Sequence, residues 1–170
     1  TSLNMSKNTI LESLDCSFNQ LSALTISNSN KITDLNCSFN QIATLNMSND
    51  IALKNLNCFK NNINSLDVTN CITLVTLNCY ENHELSNLDV SGATALTTLN
   101  RYGDGLSILD ISHNTNLTTL NCYYNEIRYL DVSHNGVLTT LNCYGNSLSN
   151  LDVSHRSEER RVGKECPRCV

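Results

Sequence analysis

A motif Leu-x-x-Leu-x-Cys recurs along this 170-residue chain, its first apolar residue standing at Leu11, Ile32, Leu53, Leu74, Leu96, Leu117 and Leu138. Successive starts lie 21 residues apart, with a single step of 22 between Leu74 and Leu96. The cysteine place reads Cys16, Cys37, Cys58, Cys79, Arg101, Cys122, Cys143. Three residues further on comes a column of Asn19, Asn40, Asn61, Asn82, Asp104, Asn125, Asn146. Each unit also carries a second half, as in Leu66-Asp67-Val68-Thr69 and Leu130-Asp131-Val132-Ser133. A unit this short cannot bury its own leucines, so it must stack on its neighbours and share a continuous core with them. The chain therefore folds as a solenoid. Within each motif the apolar fourth and sixth places point inward and the third, fifth and seventh outward, which predicts a short strand. Stacked strands form a parallel sheet with a step of roughly 4.8 Å. The Asn amides are expected to satisfy backbone groups where the chain turns out of the sheet, identically in every coil. A single proline and the lack of any long 3.6-residue periodicity speak against helices in the second half-units.

These repeats resemble the leucine-rich repeat family, in its bacterial 21-residue, internalin-like subtype with cysteine in place of a core leucine. The resemblance runs from about Leu3 to Ser154. It implies a repeat solenoid of the α/β class, mostly β in this chain. The expected form is a right-handed superhelix with a concave parallel β-sheet and extended or 3₁₀ segments on its convex side. It also implies a bacterial surface or secreted protein whose concave sheet carries partners in adhesion. The solenoid is expected over residues 1–155, as about seven units of a fragment without caps. No leader segment is visible at Thr1-Ser2-Leu3-Asn4. Residues 156–170 break the pattern and carry net charge +2, against −7 for residues 1–155. Such a tail reads as foreign read-through that packs poorly on the last coil, and its Cys166-Pro167-Arg168-Cys169 lacks a second ligand pair for zinc.

Nine cysteines in a short chain ordinarily suggest disulfides. Here six occupy one inward ladder, where parallel Cβ vectors suit neither a disulfide nor a tetrahedral metal. They are expected as a buried, reduced row. Cys71 falls in a turn place shared with Asp50, Ala93 and Asn114, and reads as an incidental thiol. Arg101 occupies the cysteine place, where an unpaired guanidinium would cost several kcal/mol. Either the turn at Gly103-Asp104-Gly105 loosens and lets the side chain escape, or Arg101 pairs with Asp104. As a tolerated defect, it should yield stability on Arg101→Cys. The extra residue near Asn82-His83-Glu84 should form a bulged turn.

The outward places make the best candidate site. The seventh reads Ser17, Ser38, Phe59, Tyr80, Tyr102, Tyr123, Tyr144, the fifth Asp15, Asn36, Asn57, Asn78, Asn100, Asn121, Asn142, and the third ends in threonines. The binding residues expected are Asn57, Phe59, Asn78, Tyr80, Asn100, Tyr102, Asn121, Tyr123, Asn142 and Tyr144. Tyrosine offers a wide contact face with a polar tip, suited to proteins and sugars alike. The same rings also support one another along the ladder.

The second-half column Asp67, Asp89, Asp110, Asp131, Asp152 lacks the Gly-rich turns of calcium-binding rolls. His113, His134 and His155 take turn places, so neither row is read as a metal site and no cofactor is expected. Every polar type recurs once per coil, leaving no unique nucleophile–base cluster, so the chain reads as no enzyme. A net charge of −5 disfavours nucleic acid, and no run approaches the ~20 apolar residues of a membrane-inserted helix. A protein on a host or neighbouring cell is the first partner expected. A glycan on the same rows, a purely structural spacer, and self-association through open solenoid ends stay open as alternatives.

Overall fold

The computed structural model describes residues 1–26, 31–48 and 50–151. Among them there is no helix, only eleven strands of three residues each. One strand per coil comes from the Leu-x-Cys segment: β2 (Ser13–Asp15), β4 (Asp34–Asn36), β6 (Asn55–Asn57), β8 (Thr76–Asn78), β9 (Thr98–Asn100), β10 (Thr119–Asn121) and β11 (Thr140–Asn142). They form a seven-stranded parallel sheet in chain order, each leucine opposite the next coil's leucine. Of the two forms expected for the second half-units, the extended one occurs. β1 (Ser2–Asn4) pairs with β3 (Ala23–Thr25), β5 (Thr44–Asn46) with β7 (Ser65–Asp67), and Tyr129 makes a lone parallel bridge to Asn150. Leucines, isoleucines and valines from both half-units meet in one buried core with the sulfurs of Cys37, Cys58, Cys79 and Cys122. The tail expected to lie loose, residues 156–170, falls outside the described residues, as do Asp152 and His155.

The asparagine column does what its chemistry allows. Asn61 donates from Nδ2 to the carbonyls of Cys37 at 3.0 Å and Cys58 at 3.1 Å, and its Oδ1 accepts the Ile42 N–H at 3.0 Å. Asn40, Asn82, Asn125 and Asn146 repeat the arrangement, each tying its own coil to the preceding one. The need arises one residue earlier. The residue two after each cysteine place is left-handed: φ is 53° at Phe18, 54° at Phe39, 52° at Lys60, 53° at Glu81 and 50° at Tyr124, with Gly103 and Gly145 filling the same place. A left-handed non-glycine residue costs roughly 1–2 kcal/mol, so this turn persists because the amides on either side hold it.

The place that holds Cys71 is a second ladder, not an incidental turn. Cys71 is fully buried and donates its S–H to the Met47 carbonyl at 3.3 Å. Asn114 and Asn135 donate to the carbonyls of Val90 (2.9 Å) and Ile111 (3.0 Å), the same 24 residues back. A thiol substitutes there for an amide donor. Asp50 occupies that place too, buried, with Oδ1 partnerless among the described residues. Burial pushes its carboxyl up to about 6 from 3.8.

Arg101 does not escape to solvent. It is fully buried, donates from Nη2 to the Leu85 carbonyl, and pairs through Nη1 with Asp104 Oδ2, also buried. The two departures from the repeat are thus one event. A carboxylate in the asparagine place has no N–H to offer and carries a buried charge, and a guanidinium in the cysteine place balances that charge while donating to the Leu85 carbonyl. The inserted residue is taken up as expected, in a turn closed by Leu85 N–H to the Asn82 carbonyl at 2.9 Å.

Two outcomes follow in denaturant unfolding. Arg101→Cys alone should destabilise, by about 3 kcal/mol, because it strands a buried carboxylate, whereas Arg101→Cys with Asp104→Asn should be neutral or stabilising by up to about 4 kcal/mol. Asp50→Asn should stabilise at pH 7.5 by about 1–2 kcal/mol, since an amide can donate where a carboxylate cannot. With the Asp50 value raised on folding, the aspartate's contribution is complete below pH 3.8 and lost as pH rises through about 6. The advantage of the Asp50→Asn variant over the parent should therefore shrink towards zero as pH falls to about 4.

Candidate functional site

The outward face of the seven-stranded sheet carries two rows that repeat coil by coil. Asn57, Asn78, Asn100, Asn121 and Asn142 end β6, β8, β9, β10 and β11. Parallel in-register pairing sets each amide directly above the last. The first four form a hydrogen-bonded row: Asn78 Nδ2 to Asn57 Oδ1, Asn100 to Asn78 at 2.5 Å, and Asn121 to Asn100 at 2.6 Å. In the first coils the row continues as Asn36 Nδ2 to Asp15 Oδ2 at 3.1 Å, and Asp15 and Asn36 also cap the strand end, accepting the N–H and hydroxyl of Ser17 and Ser38. Those bonds from Ser17 hold the Asp15 carboxyl below its usual range. The second-half aspartates do the same for their Ser and Thr neighbours, at 2.8–3.1 Å for Asp67, Asp89, Asp110 and Asp131. That local role accounts for the Asp-x-Ser/Thr spelling without any cation.

Two residues past each amide stands the ring row. Phe59, Tyr80, Tyr102, Tyr123 and Tyr144 stack face to face with centroid steps of 4.4, 4.2, 4.2 and 4.9 Å and planes within 14°. The rings are half-buried. Burial, together with the neighbouring phenols of Tyr80 and Tyr123, pushes the Tyr102 phenol well up. Between rings and amides runs an open trough of about 400 Å³, lined from Asn78 to Asn142 and including Tyr80, Tyr102 and Tyr123. Of the ten expected site residues, seven line it; Asn57, Phe59 and Tyr144 extend its two rows.

The rows hold more aromatics than the seventh place alone suggested. Phe18 stacks on Phe39 at 4.1 Å, Phe39 meets Phe59 edge-on at 5.3 Å, and Tyr124 meets Tyr144 edge-on at 4.9 Å. Phe18, Phe39 and Tyr124 stand in the left-handed place next to the ring row. The aromatic ribbon therefore runs from Phe18 to Tyr144, changing column between Phe39 and Phe59. Sequence carried one signal for it: the aromatics of the neighbouring place begin where the ring row still reads serine. At Gly145, a Cβ would lie 2.5 Å from Tyr124 Cδ1, so the glycine leaves room for that ring.

The cysteine row is chemically quiet. Desolvation pushes Cys37 and Cys79 up to about 12, and Cys16, Cys58 and Cys122 upward as well. A thiol in that state is neither nucleophile nor metal ligand at neutral pH. These five are unpaired in disulfides.

The fold is matched by solved structures. The functional domain of InlJ from Listeria monocytogenes, which includes a cysteine ladder, superposes with a TM-score of 0.86 at 38% identity, over 90% of this chain and 34% of that one. A leucine-rich-repeat protein of Leptospira interrogans gives 0.75 at 24% identity, over 84% of this chain and 39% of that one. The internalin InlF of Listeria monocytogenes gives 0.62 at 22%, over 83% and 50%. The last two share the fold; the chain spans about a third of the InlJ domain. No family model and no curated protein sequence matches. With its 21-residue period, all-parallel solenoid and buried thiol row, the chain belongs to the internalin-like leucine-rich-repeat proteins of the cysteine-ladder kind.

Proposed function

We propose that the chain is a non-catalytic protein-interaction module of a bacterial surface or secreted protein, and that it binds through the outward face of the seven-stranded sheet. The observation that carries this reading is the uncharged, half-buried face of stacked tyrosines beside an amide row, continuous over five coils. Tyrosine is enriched at protein interfaces because it covers a large area at low entropic cost and keeps a polar tip. The mutual stacking bears on the glycan alternative. Sugars favour the open face of an aromatic ring, and inside this row each face is already covered by the next ring. Edges and hydroxyls remain, which suit the mixed polar and apolar surface of a protein. The adhesive setting rests on the resemblance to the internalin-like family, and the partner is expected on a host or neighbouring cell.

Beads coated with the chain and presented to candidate host cells test this directly. Adhesion should fall at least about tenfold with Tyr102→Ser/Tyr123→Ser, the loss expected when central interface aromatics are removed. It should vanish when the cells are treated with protease and survive enzymatic deglycosylation. Adhesion that survives protease and is lost on deglycosylation would transfer the site to glycans. Adhesion unchanged by the double substitution would clear this face altogether.

A further inference from the structure

The trough between the tyrosine and asparagine rows has a period that discriminates among protein partners. We propose that its occupant is a proline-rich segment of the partner, in the polyproline II conformation and lying along the solenoid axis. The inference rests on the protein-binding reading and names the local structure of the partner. The trough is about 400 Å³, and its lining from Asn78 to Asn142 crosses four coils, roughly 14 Å at the sheet's step. Two coils span roughly 9.6 Å. One turn of polyproline II, three residues, advances about 9.3 Å. Every third residue of such a segment therefore meets every second coil in the same orientation. A β-strand repeats after two residues, about 6.7 Å, which falls between one coil and two.

The hydrogen-bond inventory of the walls points the same way. In the amide row Asn78, Asn100 and Asn121 each spend one N–H on the preceding coil, which leaves each of them a second N–H. The oxygens of Asn78 and Asn100 already accept from the next coil. Tyr80, Tyr102 and Tyr123 bring phenol hydroxyls to the other wall, each able to donate. The walls are thus polar and rich in donors. A polyproline II backbone makes no internal hydrogen bonds and holds its carbonyls open to its surroundings, and proline has no N–H that would call for an acceptor. Carbonyls three residues apart can take the spare N–H groups of Asn78 and Asn121 or, one coil further on, of Asn100 and Asn142. No residue lining the trough is charged, which suits a neutral segment. Because proline sets the bound conformation beforehand, little ordering entropy is lost on docking.

Hexaproline, acetylated and amidated to remove its end charges, is the probe, with a Gly-Ser peptide of the same length and caps as the flexible control. Isothermal titration calorimetry on monomer isolated by size exclusion should show one hexaproline bound per chain, at least about tenfold tighter than the control. Tyr102→Phe with Tyr123→Phe keeps the stacked rings and removes two hydroxyls, and should weaken hexaproline binding at least about fivefold. Tyr129→Phe, at an exposed tyrosine off the row, should bind as the parent does. A folded monomer that binds no hexaproline, equal affinity for the Gly-Ser peptide, or a folded double variant that binds unchanged would each overturn the proposal. Beads that adhere to cells through this face while the chain ignores hexaproline would overturn this inference and leave the protein-binding reading standing.

Discussion

The buried asparagine amide at each turn is the interaction on which the rest depends. A coil of about 21 residues with a three-residue strand cannot satisfy its own backbone; most of its hydrogen bonds must reach the next coil. Where the chain leaves the sheet through a left-handed residue, carbonyls of two successive coils and an N–H of the preceding one converge on a single point. A primary amide has donors and acceptor in the needed directions, and no apolar residue does. Because that amide measures from one coil to the next, it also sets the register. Cysteines then fall above cysteines in the core, and rings above rings outside it.

The one coil that departs from this rule shows how tightly the places are coupled. Asp104 removes the amide's donors, and Arg101, three residues earlier and pointing into the same core, balances its charge while donating to the Leu85 carbonyl. The extra residue at the Asn82–Leu85 turn lies against the same coil. The seven-stranded sheet runs on through it without a break. The strand register beneath the tyrosine row is thus kept while the chain departs from its repeat.

The period, the strands, the inward thiols and the outward amide and ring rows were all legible in the sequence, because each is a column that repeats. What was not legible depends on distances across coils rather than on spelling. Cys71 looked like a turn thiol because Asp50, Ala93 and Asn114 share its place, and only the carbonyl 24 residues back reveals the donor role common to Cys71 and Asn114. Phe18 and Phe39 gave no hint that they sit left-handed, since aromatics rarely do. The tyrosine row was visible as a row, but the covering of ring faces by neighbouring rings emerges only from the 4.2 Å steps. That detail changes which ligands fit the face.

The central claim is that the amide ladder, not the apolar core alone, holds the coils in register. Urea unfolding of Asn82→Ala against Asn19→Ala tests it. Asn82 bonds the carbonyls of Cys58 and Cys79 and the N–H of Ile63 while fully buried; Asn19 bonds only Cys16 and Ser17 within its own coil. Orphaned buried backbone groups cost about 1–3 kcal/mol each. The interior substitution should therefore cost at least about 3 kcal/mol and the outer one about 1 kcal/mol or less. Equal, small losses at both sites would contradict the account.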